Sequence, residues 1–347
     1  MSLEHENLHV PTHEEVVRFI DRDRGLEAVI AVHSTALGPA LGGTRFYPFP
    51  SFDVALTDVL RLSEAMTFKN AVAGLDHGGG KAVILGDPRS ARSPELLHAY
   101  GEAVCLLEGR YITTEDVGTT PADMDAVLDV CPHVTGASTG SGDPSVATAR
   151  GVHRTQEAVA QRLFGGEGLR GRHVVVSGVG KVGTLLVEHL VGAGARVTVA
   201  DVRADATAAL AQRFKGSVAA VEPDDALTTA CDILAPCALG GVLSAETVAS
   251  LRCRAVVGAA NNQLTDDAVA EQLRDAGILY VPDFVVNAGG VINLARETGA
   301  YDPEDARARV DAIADTVVSI LDEAEHRGVT PLTAALDHAR RRIAAAG

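Results

Sequence analysis

The sequence predicts an α/β protein of two domains, and three observations carry that expectation. A chain of 347 residues exceeds what one average core organises, so two domains are the default. Segments of strand character alternate with segments of helical periodicity along most of its length. In the second half that alternation tightens around Gly178-Val179-Gly180-Lys181-Val182-Gly183, with a strand before it, an apolar helix after it and a second strand ending in an acid.

Taken in order, Thr12 to Asp23 reads as a first helix. Thr12 stands as an N-cap, Glu15 completes a capping box, Val16, Val17, Phe19 and Ile20 follow, and Gly25 stops it. Glu27 to His33 is a strand. The segment from Gly38 to Phe46 carries too many glycines for a regular element, and its Gly42-Gly43 pair suits close approach to a ligand. From Phe52 to about Phe68, Leu56, Val59, Leu60, Ser63 and Met66 share one side of a helix that delivers Lys69. Gly78-Gly79-Gly80 reads as a turn into a strand that begins at Lys81. Ser93-Pro94 and Thr120-Pro121 open capped helices with a first-turn proline. Between them, Arg110 to Thr114 is a short strand running into Glu115-Asp116-Val117-Gly118.

The two lysines around the glycines are the first functional signal. Facing one small cavity, their ammonium groups repel each other, and burial adds to the repulsion, so one of them is expected to lose its proton readily near neutral pH. The charged lysine would hold a carboxylate and the neutral one would act as a base; two solvated surface lysines are the bland alternative. Asp116 stands at the C-terminal end of a strand, where α/β folds place catalytic groups, although an Asp before Gly also suits an ordinary turn.

Thr135 to Pro144, small, polar and glycine-rich, reads as the boundary between domains of 1–140 and 141–324. A long helix follows from Ser145 to about Leu163. His173 to Ser177 is a strand, Gly178 to Gly183 open a helix through Leu185, Leu186 and Leu190, and Arg196 to Ala200 is a strand ending at Asp201. Strand, glycines, helix, strand and terminal acid in one βαβ unit are the mark of a Rossmann-type dinucleotide site. The glycines let the backbone approach a pyrophosphate at the helix N-terminus, and Asp201 would accept hydrogen bonds from a ribose diol while repelling a 2′-phosphate, which favours NAD over NADP. Arg203, two residues on, leaves room for some NADP tolerance. Further strands run over Cys231 to Ala235, Ala255 to Gly258 and Ile278 to Val281, and helices over Asp266 to Ala276, Pro303 to Arg327 and Thr330 to Ala346.

Composition excludes several function classes. Net charge is −16, from 46 acidic and 30 basic residues, so a nucleic acid partner is not expected. The Arg340-Arg341-Arg342 cluster reads as cations at the C-terminus of the last helix, where the dipole favours them. No apolar run of about 18 residues and no secretory signal are evident, so a cytoplasmic protein away from membranes is expected. Five cysteines in no paired spacing suit a reducing compartment. His5, His9 and His13 recur at helical spacing, but Pro11 would interrupt such a helix, and no metal is expected.

Seven motifs, in order, closely resemble the branched-chain members, leucine and valine dehydrogenases, of the amino acid dehydrogenase superfamily that also includes glutamate and phenylalanine dehydrogenases. They are Gly38 to Arg45, the two-lysine stretch, Glu115 to Gly118, Gly178 to Gly183, Ala235 to Gly240, Gly258 to Leu264, and Pro282 to Asn293. The resemblance implies an N-terminal α/β substrate and oligomerisation domain, a Rossmann-type NAD-binding domain, a cleft between them, C-terminal helices from about 325 to 347 that return to the first domain, and a homo-oligomer. It implies reversible, NAD-dependent oxidative deamination of valine, leucine or isoleucine to the 2-oxo acid and ammonia, as in branched-chain amino acid catabolism. By similarity Lys69 binds the substrate carboxylate, Lys81 activates the attacking water, and Asp116 handles protons at the amino nitrogen. Gly43 and Asn262 would contact substrate, and Thr148 and Asn287 the nicotinamide. Leu41, Thr114, Val291 and Leu294 match the side-chain pocket. Leu41 stands where glutamate-specific relatives carry a lysine, and Thr114 where a leucine-preferring enzyme carries an alanine. Phenylalanine dehydrogenase, or an NAD-binding sensor without catalysis, are the alternatives.

Overall fold

The computed structural model describes residues 3–166 and 168–346. Its contacts group into two compact units. The first comprises Met1–Asp143, Val291–Pro303 and Ala339–Gly347, and the second Pro144–Gly290 and Glu304–His338. Among the described residues no helix is long and apolar enough to cross a membrane.

The first unit is built on a six-stranded mixed sheet. In chain order its strands are β1 (Glu4–Asn7), β2 (Glu15–Asp21), β3 (Leu26–Ser34), β4 (Ala40–Tyr47), β5 (Gly78–Leu85) and β6 (Tyr111–Glu115), arranged β1-β2-β3-β5-β4-β6. β3 runs antiparallel to β5, whereas β4 lies parallel to both β5 and β6. Side chains alternate across the pleat. Ala40, Phe46, Ala82, Ile84 and Tyr111 enter one core with Tyr100, Met124 and Val127 from the helices Pro94–Cys105 and Pro121–Leu128. Val83 on the other face packs with Ala55 and Val59 of the helix Phe52–Val72. Ser93 and Thr120 cap the two helices as their sequence predicts, Thr120 in a capping box with Asp123.

Four local expectations are corrected. Thr12 to Asp23 contains no helix: Glu15–Asp21 is β2, paired antiparallel with β3 through a turn at Gly25, whose φ is +74°. Val16 faces one apolar layer and Val17 and Phe19 the other, and a strand buried on both faces imitates the apolar density of a helix. Gly38 to Phe46 is no irregular loop either, since Ala40–Tyr47 is β4. Gly78 to Gly80 form the beginning of β5 rather than a turn, and none of the three takes a positive φ. Glycine is used there because backbone lies against Gly78 and Gly79 and the Tyr111 ring against Gly80, not because of its conformational freedom. The long helix expected from Pro303 is also divided, into Pro303–Asp311 and Ile313–Arg327.

The second unit is a parallel sheet of β7 (His173–Ser177), β8 (Arg196–Ala200), β9 (Val218–Ala220), β10 (Ile233–Pro236), β11 (Ala255–Val256) and β12 (Leu279–Tyr280). Their order, β12-β11-β10-β7-β8-β9, is that of a doubly wound dinucleotide-binding sheet, with its switch point between β7 and β10. Alternation of strand and helix in the sequence is what makes every neighbouring pair parallel.

Candidate active site

In the first unit the period-two pleat gathers the charged residues. Leu41, Gly43 and Arg45 of β4, Lys81 of β5 and Thr114 of β6 fall on the face turned away from the large core, and Asp116 follows directly after β6. The register sets Gly43 beside Thr114, and Thr44 beside Ala82, so Lys81 and Gly43 are neighbours. A Cβ on Gly43 would stand 2.8 Å from the Asp116 Cβ and 2.6 Å from the Glu115 carbonyl oxygen. The missing side chain is the space into which Asp116 folds.

Asp116 therefore meets Lys81, with Nζ 2.9 Å from Oδ2. Arg45 Nε donates to the same oxygen at 3.2 Å. The Lys81 side chain is 7% exposed and that of Asp116 25%, which removes the surface-lysine alternative for Lys81. Burial pushes the Asp116 carboxyl up, but the Lys81 ammonium and Arg45 guanidinium outweigh it and hold the group below the usual carboxylate range. The Asp116 N–H donates to Thr119 Oγ1 at 2.8 Å, and that hydroxyl donates to the Thr44 carbonyl at 2.9 Å. The carboxylate is thus fixed from both its backbone and its side chain.

Lys69 lies in the last turn of the helix Phe52–Val72 and is half-buried. A Cβ on Gly79 would overlap the backbone of Thr67, so the helix turn carrying Lys69 rests on β5 two residues before Lys81. The end of this helix is capped from far along the chain. Arg342 Nη1 donates to the carbonyls of Ala71 at 3.1 Å and Leu75 at 2.7 Å, and Nη2 to Asp76 Oδ1 at 3.0 Å. The arginine cluster does place a cation at a helix C-terminus, but at that of the lysine-bearing helix rather than of its own.

The positions expected to form the side-chain pocket are uncharged residues of the same unit. Leu41 is fully buried, and Thr114 and Leu294 are each 5% exposed. A Cβ on Gly136 would stand 2.7 Å from Thr114 Oγ1 and 3.2 Å from Leu294 Cδ2, so these residues pack together. Thr114 Oγ1 is buried without a hydrogen-bond partner. Val291 is half-buried in the same unit. Glu297, which the sequence did not single out, organises the neighbouring loop by accepting the N–H groups of Gly136 at 2.7 Å and Ser141 at 2.6 Å.

The second unit carries the glycine-rich loop between β7 and the helix Lys181–Gly192, so the βαβ unit has the predicted boundaries. Gly180 is the N-cap, with no side-chain cap and nothing within 4 Å of the position a Cβ would take. Lys181, Val182 and Gly183 form the first turn, where the N–H groups of a helix start and the helix dipole favour an anion. Asp201 accepts the Val179 N–H at 2.8 Å and the Arg203 N–H at 2.9 Å. Burial raises its carboxyl, while these N–H groups and the Arg203 guanidinium bring it below its ordinary value, so it is ionised at neutral pH. Asn287 donates to the Ala259 carbonyl at 3.1 Å and to Asn261 Oδ1 at 2.7 Å. Its own Oδ1 is buried without a partner. Thr148 donates to the Pro144 carbonyl and lies against Gly290. Asn262, an exposed residue of this unit, takes the left-handed conformation with φ +51°.

Arg45 and Asp58 were missed by sequence reasoning. Arg45 lay inside a quoted motif, but nothing in one dimension reveals that its second arm reaches Asp58 Oδ2 at 2.7 Å. His5, His9 and His13 share no helix: His5 is in β1, and His13 stacks edge-on against His33 with ring centroids 4.9 Å apart.

Comparison with known proteins gives concordant findings. A family model described as Glu/Leu/Phe/Val dehydrogenase, dimerisation domain, matches residues 13–133, and one described as Glutamate/Leucine/Phenylalanine/Valine dehydrogenase matches residues 199–347. The chain is 52% identical to a valine dehydrogenase of Streptomyces coelicolor over 96% of its own length and 93% of that protein. It is 44% identical to a leucine dehydrogenase of Bacillus cereus, over 96% and 91%. Among solved structures, an L-tryptophan dehydrogenase from Nostoc punctiforme superposes with a TM-score of 0.84 at 38% identity, covering 96% of this chain and 97% of that one.

Proposed function

Since the chain belongs to the glutamate/leucine/phenylalanine/valine dehydrogenase family, we propose that NAD is its hydride acceptor and that Lys69, Lys81 and Asp116 carry its chemistry. The activity is the reversible oxidative deamination of a branched-chain L-amino acid. The amino acid, NAD and water become the 2-oxo acid, NADH, ammonium and a proton. The observation that supports the assignment best is the buried contact between Lys81 and Asp116, with Arg45 on the same carboxylate oxygen.

Three side chains divide the work. Lys69 holds the substrate carboxylate by charge. Lys81, in its neutral form, takes a proton from the water that attacks Cα once the Cα–H bond has been broken, and Asp116 exchanges protons with the amino nitrogen. Gly43 leaves both the space and an accessible backbone beside them. Leu41, Thr114, Val291 and Leu294 receive an aliphatic side chain, and a dicarboxylic substrate would leave its distal charge unpaired there. A methylene in such a pocket is worth only about 1–3 kcal/mol, so valine, leucine and isoleucine are all accepted.

NAD, when bound, supplies the hydride acceptor. The open space at Gly180, the uncapped helix start and the unpartnered Asn287 oxygen fit such a group. Gly178 to Gly183 would receive the pyrophosphate, Asp201 the adenosine ribose, and Thr148 and Asn287 the nicotinamide; Asn262 is assigned a substrate contact by family resemblance. A homo-oligomer is supported by the match of residues 13–133 to a family description that names dimerisation.

The test is NADH appearance with purified protein, NAD and, separately, L-valine, L-leucine, L-isoleucine, L-phenylalanine and L-glutamate at mildly alkaline pH. Turnover is expected with the aliphatic three and not with glutamate. Silence with all five, despite measurable NAD binding, would overturn the reading, and a preference for phenylalanine would move it to an aromatic substrate.

A second expectation concerns cofactor choice. Arg203 is held by Asp201, Nε to Oδ1 at 3.2 Å, and by the Val179 carbonyl, Nη2 to oxygen at 3.1 Å. Asp201→Ala removes a charged acceptor and releases that guanidinium. The KM for NAD is expected to rise about tenfold or more, while NADP loses little or gains. Equal losses with the two cofactors would refute the ribose assignment.

A further inference from the structure

Asp116 is held by two cations on one oxygen, and only one of them, Lys81, has a part in the chemistry proposed above. Arg45 contributes its Nε to Oδ2 at 3.2 Å, and its Nη1 is fixed by Asp58 Oδ2 at 2.7 Å. Asp58 in turn accepts Arg61 Nη2 at Oδ1, 3.1 Å away. Positive and negative groups therefore alternate from the 7%-exposed Lys81 to the half-exposed Arg61. Among the described residues, the charged groups paired with Asp116 are Lys81 from β5 and Arg45 from β4. The helix Phe52–Val72 supplies Asp58 behind Arg45 and carries Lys69 in its last turn.

We propose that Arg45 is a positioning residue that keeps the Asp116 carboxylate ionised and aimed at Lys81, and that Asp58 sets the strength of its pull. This inference rests on the reading of Asp116 as the proton-handling group at the substrate nitrogen.

The physical argument is one of geometry and sign. A largely buried carboxylate favours its neutral form unless cations stand close to it. Lys81 alone would serve, but a base that changes its own charge during turnover is an unreliable counter-ion. Arg45 keeps its charge at every working pH, and its planar fork is anchored at both ends. It therefore maintains the charge on Asp116 whatever Lys81 is doing. Asp58 partly neutralises Arg45, so the field that reaches Asp116 is the difference between the two. Lys81 and Arg45 also compete for Oδ2, which leaves Oδ1 as the oxygen to meet an incoming amino group.

Two substitutions then have opposite effects. Arg45→Gln removes the charge, and the limb of the kcat/KM profile set by Asp116, which lies on the acid side of the ordinary carboxylate range and apart from any limb set by the Lys81 base, is expected to move up by about one pH unit. Asp58→Asn leaves Arg45 charged and relieves it of its counter-charge, and the limb is expected to move down by about half a unit. Arg45→Lys keeps the charge without the fork and is expected to restore the native limb position with part of the lost rate. NAD binding, followed by fluorescence, is expected to be unchanged in all three.

A purely structural Arg45 would lower the rate at every pH and leave the limb in place, and that result overturns the inference. If Arg45→Gln fails to fold, the downward shift of Asp58→Asn decides the matter, and an unmoved or raised limb in that variant sinks the proposal. Asp116→Asn separates this inference from the reading beneath it. Residual activity that keeps the native limb means the limb never belonged to Asp116, so both fall. A limb lost in Asp116→Asn and unmoved in Arg45→Gln removes the inference alone.

Discussion

Lys81→Ala is expected to lower turnover by about 10²–10⁴-fold while NAD binds as before. The range is that of a positioned general base. The substitution leaves the sheet intact, because Lys81 pairs with Ala31 through backbone and its neighbours Ala82 and Val83 supply the apolar contacts on either face. It also leaves Asp116 with Arg45 as its remaining charged partner at Oδ2, so the carboxylate is still compensated. The loss is thus one of chemistry rather than of folding. Steady-state deamination of valine beside a fluorescence titration of NAD measures both. Activity within about tenfold of the native enzyme would mean that some other group activates the water.

Asp116→Asn is expected to damage both activity and stability. The amide oxygen inherits two charged donors without the charge that balances them, and Lys81 is left as a buried cation. Removing one member of a buried ion pair typically costs about 3–5 kcal/mol. Asp116 is a quarter exposed, so water screens part of this, and a loss of about 1–3 kcal/mol is expected. The pH dependence follows from the direction of the carboxyl's shift. Burial raises it, Lys81 and Arg45 lower it by more, and the folded value lies below that of the unfolded chain. The stabilisation is therefore complete above the ordinary carboxylate range and is lost as pH falls through the depressed value. Native and variant melting temperatures should differ most near neutrality and converge below about pH 4. A difference that is constant with pH would assign the effect to packing instead of charge.

The two-lysine stretch illustrates how much of the site could be read in one dimension. Glycines between two lysines signalled a close approach, and one occurs, but the glycines lie inside β5 with helix backbone against Gly79. Local sequence offers no means of distinguishing a glycine needed for a turn from one needed for contact, because the contacting residue is remote. The same limit explains β2. Val16, Val17, Phe19 and Ile20 have β propensity, yet Thr12 and Glu15 mimic a capping box, and the decision came from pairing with β3. Arg342 is a third instance: its cationic preference for a helix end was legible, but which helix it caps depended on the fold.

What the sequence determined by itself is what depends on short-range order. It specified the βαβ unit from His173 to Asp201, the capped helices after Ser93 and Thr120, the alternation that makes the second sheet parallel, and the membership of Lys69, Lys81 and Asp116 in motifs of one family. Tertiary structure alone decided which charges meet. Lys81 touches Asp116 because β4 lies between β5 and β6 and Gly43 leaves room above it, and Asp58 reaches Arg45 because the helix packs on that face. Ion pairs act over a few ångströms of space with no regard for separation along the chain, so the partners of a buried charge are fixed only when the sheet order and its pleat are fixed.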